Sequence, residues 1–149
     1  MTTEPKANLV PELACRDASD SKKFYVEILG FRVLYERSEH GFHYLERQGA
    51  EIMIEQLSDT SWITDTLEPP FGRGLHFQIE TTDLTALYET CKTNGVKIFR
   101  EWEEAWYRAG DHYVGQSQFI VCDPDGYMLR FIEDLGTRVE PPESGRVVS

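Results

Sequence analysis

One order of segments occurs twice in this chain, and few folds can accommodate both copies. Residues 9–15 form a short apolar strand pattern, and Arg16-Asp17-Ala18-Ser19-Asp20 then offers capping side chains to a helix with Phe24, Tyr25, Ile28 and Leu29 at helical spacing. Gly30 closes that helix, and residues 31–35, 42–45 and 50–56 read as strands, which completes a β-α-β-β-β order. The stretch 57–73 has no periodicity and contains Pro69, Pro70 and Gly72, so it reads as a linker. The order then returns. Residues 75–80 form a strand, Asp83 caps a helix carrying Leu84, Leu87, Tyr88 and Cys91, Gly95 ends it, and residues 96–99 form a strand. Two further strands, 118–121 and 127–132, flank Asp123-Pro124-Asp125-Gly126, where proline fixes one φ and glycine frees another, as a hairpin turn requires.

The repeat predicts an α+β fold: a first module over 8–57, a linker over 58–73, a second module over 74–134 and a flexible tail over 135–149. Aligning Asp17 with Asp83 and Gly49 with Gly126 makes the second module longer, with the extra residues in a loop after Phe99. Strand side chains alternate between faces, so this register also predicts facing. Leu9, Leu13, Ile52, Ile54, Leu75, Phe77, Ile79, Leu129 and Phe131 fall on one parity, to pack against the helices. The opposite parity is half polar: Val10, Glu12, Glu51, Met53, Glu55, His76, Gln78, Met128 and Arg130. Such a face on two curved sheets suggests a lined cleft.

Composition narrows the partners. A formal net charge of −11 leaves little basic surface for a phosphate backbone, which argues against nucleic acid. Cys15, Cys91 and Cys122 are odd in number and widely spaced, so they read as buried reduced thiols in a cytoplasmic protein. The first residues lack an apolar core and no apolar run reaches spanning length, so neither export nor membrane insertion is expected. His40, His43 and His112 are expected in loops or on exposed strands, without metal-ligand spacing. The chain has no Gly-x-Gly-x-x-Gly phosphate loop and no Gly-x-Ser-x-Gly elbow, and no cysteine has an evident base partner.

The paired modules, Arg16-Asp17 ahead of Phe24-Tyr25 and Leu29-Gly30-Phe31, and the Asp123-Pro124-Asp125-Gly126-Tyr127 hairpin together resemble the vicinal oxygen chelate superfamily. That superfamily includes glyoxalases, extradiol dioxygenases and bleomycin-resistance proteins. The bleomycin-resistance type is the nearest in residues 13–17, in Leu45-Glu46-Arg47-Gln48-Gly49 and in residues 83–95. The resemblance implies curved mixed sheets around a cleft. It also implies, in the enzymes, four converging His or Glu ligands for a divalent ion. Seven residues before the capping aspartates stand Val10 and His76, and four residues past the glycines stand Met53 and Arg130. Only His76 is able to ligate, and Arg130 sets a permanent positive charge at a ligand position.

The resemblance therefore implies a metal-free binding protein with no cofactor and no catalytic residues, sequestering a bulky cationic aromatic compound such as a bleomycin-like antibiotic. The alternative is a metal-dependent lyase, isomerase or dioxygenase with displaced ligands such as Glu12, Glu55 and His76. Stacking candidates are Trp62 in the linker, Trp102, Trp106 and Tyr107 in the loop after Phe99, and Tyr113 before the hairpin. His76, Gln78, Arg130 and Glu55 supply the polar lining. Where bleomycin-resistance proteins place a tryptophan beside a glycine shortly before the last hairpin, this chain has Val114 beside Gly115. The resemblance also implies a homodimer, and residues 140–149 read as a disordered tail or an arm toward a second subunit.

Overall fold

The Asp17 carboxylate accepts from the backbone N–H groups of Ser19 and Asp20 at 3.0 and 3.2 Å, and this cap starts helix α1 (Ala18–Lys23). A π-helical turn, Phe24–Ile28, continues it and sets the Tyr25 ring edge-on between Phe24 and Phe31, with centroids 5.3 and 5.5 Å away. The computed structural model describes residues 4–149. It divides into two units, one running up to Gly74 and including Asp123–Tyr127, the other comprising Leu75–Cys122 and Met128–Ser149.

Unit 1 holds β1 (Glu12–Cys15), β2 (Arg32–Arg37), β3 (Phe42–Arg47) and β4 (Ala50–Gln56) in the order β1-β4-β3-β2, with β1 parallel to β4. Leu13, Cys15, Leu45, Ile52 and Ile54 are buried with Tyr25 and Leu29 of the helical segment. The turn Asp123–Tyr127 is built into this unit. Asp123 Oδ1 accepts from the N–H groups of Asp125 and Tyr127, and its Oδ2 from the Tyr25 hydroxyl at 2.7 Å. Arg16 pairs with Asp125 at 2.9 Å, and the Tyr127 hydroxyl donates to the Ala14 carbonyl at 3.0 Å. The 57–73 stretch takes part too, since Phe71 is buried against Tyr127 and its N–H donates to the Asp125 carbonyl.

Unit 2 orders its strands β5-β8-β7-β6-β9: β5 (His76–Glu80), β6 (Ile98–Ala109), β7 (His112–Cys122), β8 (Met128–Arg138) and β9 (Arg146–Val148), with α2 (Leu84–Thr93) burying Leu84, Leu87 and Cys91. Strand β5 is parallel to β8, as β1 is to β4, so unit 2 repeats the strand order of unit 1 and adds β9 at its edge. Among the described residues, no helix is long and apolar enough to cross a membrane.

Five expectations are corrected. The loop after Phe99 is a twelve-residue strand, β6, in which each carboxylate of the acidic run has a partner: Glu101 accepts from the Tyr88 hydroxyl, Glu103 meets Arg100 and Arg146, and Glu104 accepts from Trp106 Nε1. The tail is not wholly irregular, since Arg146–Val148 adds a parallel strand to β6, anchored by Arg146 to Glu103 at 2.9 Å. Asp83 makes no side-chain cap, and the Leu84 N–H donates instead to the Glu133 carboxylate at 3.1 Å. Leu9 and Leu75 precede their strands and stay exposed, Leu9 at 87%, while Glu51 on the polar parity is buried as an acceptor for the Tyr44 hydroxyl and the N–H groups of Lys6 and Ala7. His43 is buried on β3, its Nδ1 2.6 Å from the Glu36 carboxylate.

Candidate functional site

Two rows of side chains cross the free face of the unit 1 sheet. Cross-strand pairing sets Glu12, Met53, Tyr44 and Tyr35 in one row and Ala14, Glu55, Phe42 and Arg37 in the next. A bulge between Val33 and Tyr35 is what brings Tyr35 and Arg37 onto this face. Tyr35 stacks on Tyr44 at 5.1 Å, and the Arg37 guanidinium sits 4.0 Å over the Phe42 ring. Beneath them, Leu34, Phe42 and Tyr44 form a buried cluster with Val10 and Met53 packed against it.

Over these rows the residues after β4 bring Thr60, Ser61 and Trp62 to a pocket of about 380 Å³ shared with Glu12, Ala14, Arg37 and Glu55. A larger pocket of about 770 Å³ shares Arg37, Glu55 and Thr60 with it and extends over residues 38–43 to Asp17, Ser19 and Lys22 of the first helix. The two form one trough. Trp62 stands at its rim, 98% exposed, with its aromatic face open to solvent. Burial, and then the like charge of Glu55, push the Glu12 carboxyl above its ordinary value, with Arg37 opposing both.

Unit 2 carries a different arrangement on its own polar face. Gln118, 2% exposed, uses every hydrogen-bonding position of its amide. Its Oε1 accepts from Gln116 Nε2 at 2.7 Å and Arg130 Nε at 3.0 Å, and its Nε2 lies 2.7 Å from the Tyr107 hydroxyl and 2.8 Å from Glu103. Arg146 holds the Glu103 carboxylate down to about 2, so an acceptor always faces the amide nitrogen. Arg130 also lies over the Tyr107 ring, 5.3 Å from its centroid.

Glu55 and Trp62 thus meet in the trough, and Gln78, Tyr107 and Arg130 meet in the unit 2 network. His76 stands exposed at the start of edge strand β5, and Trp102 is partly exposed on β6. Tyr113 is half-buried on β7, opposite Arg108 and Arg138. Trp106 is packed rather than offered for stacking: it is 6% exposed and lies over Gly115, where an added Cβ would come within 2.4 Å of the ring. Sequence reading missed Arg37, Tyr35, Phe42 and Thr60. The alternation of Phe42 and Tyr44 was the available signal, but the bulge in β2 hides the partners of both rings.

The resemblance implies, in the enzymes, a divalent metal at four positions. In unit 1, Val10 and Met53 belong to an apolar cluster, and in unit 2 the corresponding positions hold one imidazole and a guanidinium engaged with Gln118. Among the described residues no three His, Cys, Asp or Glu side chains are grouped to hold an ion. The residues at these positions do not fit a divalent metal.

Solved structures share this fold. A glyoxalase/bleomycin resistance protein/dioxygenase from Alicyclobacillus acidocaldarius is 21% identical, with a TM-score of 0.62 over 89% of this chain and 94% of that one. TioX from Micromonospora sp. ML1 is 20% identical, also with a TM-score of 0.62, over 87% of this chain and all (100%) of the other. The profile of the Glyoxalase/Bleomycin resistance protein/Dioxygenase superfamily matches residues 9–131, and the chain belongs to that superfamily. It is 30% identical over 127 residues to the lactoylglutathione lyase of Haemophilus influenzae, covering 82% of this chain and 88% of that protein.

Proposed function

We propose that this protein binds and sequesters a bulky, cationic aromatic compound without a metal, in the manner expected of a bleomycin-resistance type. The observation that carries this reading is the unit 1 trough. Two carboxylates, Glu12 and Glu55, line it beside a fully presented tryptophan, while its one arginine among the strand residues is already over the Phe42 ring. A ligand cation finds negative charge there, and a flat ring finds the Trp62 face. The chain's net charge of −11 reinforces the attraction.

Titration with metal-free and copper-loaded bleomycin, followed by tryptophan fluorescence, should give a saturable change. Trp62→Ala should weaken it by about tenfold, the usual scale for losing one stacking platform. No saturation with either form, or unchanged affinity in the variant, would sink the proposal.

A second reading has one observation in its favour, the 30% identity to a lactoylglutathione lyase. It requires a metal held by residues other than Val10, Met53 and Arg130, with Glu12, Glu55 and His76 as the displaced candidates. Protein purified without chelator would then carry a stoichiometric divalent ion, and Glu55→Gln would release it. Substoichiometric metal leaves the lyase reading without a mechanism.

A further inference from the structure

We propose that Arg130, on the polar face of unit 2, is the centre of a second site and that this site binds a carboxylate. The proposal stands on unit 2 alone and does not depend on the trough. The orientation of Arg130 is enforced from behind. Glu103, kept ionised by Arg146 and Arg100, is only able to accept, so the Gln118 amide nitrogen must point to it and the Gln118 carbonyl must point to Arg130 Nε. The Tyr107 hydroxyl and Gln116 fix the same amide from two further directions, and Gln118 is buried.

With Nε engaged, the guanidinium presents its two terminal nitrogens as a fork. Among the described residues, Arg130 forms no ion pair with a carboxylate, although acidic residues outnumber basic ones, 26 to 15, in the chain as a whole. Gln78 is its direct partner across the β5–β8 ladder. The Gln78 carbonyl oxygen lies 3.5 Å from Gln116 Nε2, so its own amide nitrogen remains a donor on that face. The site is therefore built from donors: a planar fork with one positive charge, a neutral amide beside it and a tyrosine ring along its flank. Two coplanar oxygens bearing one negative charge match that set, while the Tyr107 ring is taken by the guanidinium groups of Arg130 and Arg146.

The test is calorimetric titration of the intact chain with sodium benzoate, with benzamide as the neutral isostere and inorganic phosphate as the other oxyanion. Benzoate should bind saturably and benzamide should not. Arg130→Gln should weaken benzoate by about tenfold or more, as removal of a charge-assisted bidentate pair does. Arg130→Lys, which keeps the charge and loses the fork, should fall between the two and controls for any loss of folding in the glutamine variant. Equal binding of benzoate and benzamide, unchanged benzoate affinity in a folded Arg130→Gln protein, or tighter binding of phosphate than of benzoate would each overturn the carboxylate assignment.

Discussion

Gly126→Val should lower the midpoint of thermal unfolding by on the order of ten degrees, the equivalent of about 3 kcal/mol or more in a chain of this size. Two costs add. Gly126 has φ +98°, a conformation that a β-branched residue takes only under strain. A Cβ there would also lie 2.4 Å from Pro70 Cβ and 2.7 Å from Pro70 Cα, so backbone would have to move. Gly49→Val separates the two, because Gly49 has φ +91° and nothing within 4 Å of an added Cβ. Differential scanning calorimetry should find the Gly126 variant clearly the less stable. Equal losses would show that the close approach of the turn to Pro70 contributes nothing.

The second large effect concerns acidity. Burial pushes the Asp123 carboxyl from an ordinary 3.8 to about 6, against the hydrogen bonds it accepts from Tyr25 and from the N–H groups of Asp125 and Tyr127. Its folded-state value is raised, so the folded chain holds this proton more tightly than the unfolded one. The associated stability is fully present below pH 3.8 and is lost as pH rises through about 6. Between about pH 4.5 and 6.5 stability should therefore increase on acidification, by up to 2–3 kcal/mol from this group at about 1.4 kcal/mol per pH unit. Glu103, held down to about 2, acts in the opposite sense, and its contribution is lost only as pH falls below its ordinary 4.5. Urea unfolding across this range should show a slope that Asp123→Asn removes, since asparagine is nearly isosteric and does not titrate. A wild-type slope retained in the variant would place the responsible proton elsewhere.

The repeat, the Asp17 cap, the final hairpin and its tight turn were legible in the sequence because each is built of local signals: a cap lies within three residues of the N–H groups that donate to it, and a turn within four. The facing of Glu55 and the exposure of Trp62 were legible for a similar reason, one by strand parity and the other by its place in an aperiodic stretch. Long-range features were less so. Counting by twos cannot see the bulge that turns Tyr35 and Arg37 onto the trough face. The acidic run 101–104 looks like a solvated loop until β7, α2 and β9 supply its partners, with Tyr88 donating to Glu101, and Gln118 and Arg146 to Glu103. Trp106 shows the limit most sharply. A search for tryptophan adjacent to glycine along the chain finds only Val114 beside Gly115, yet the ladder sets Trp106 directly against Gly115 from the neighbouring strand.

The placement of Asp123–Tyr127 in unit 1 also makes closure of that unit depend on residues far along the chain. The acceptor for the Tyr25 hydroxyl, the carboxylate for Arg16 and the carbonyl for the Phe71 N–H all come from these five residues. Until residue 127 clears the ribosome, these three groups lack the partners they have in the finished fold. The Tyr25 hydroxyl thus waits for an acceptor 98 residues further along the chain, and a nascent chain with such unmet groups needs protection from aggregation.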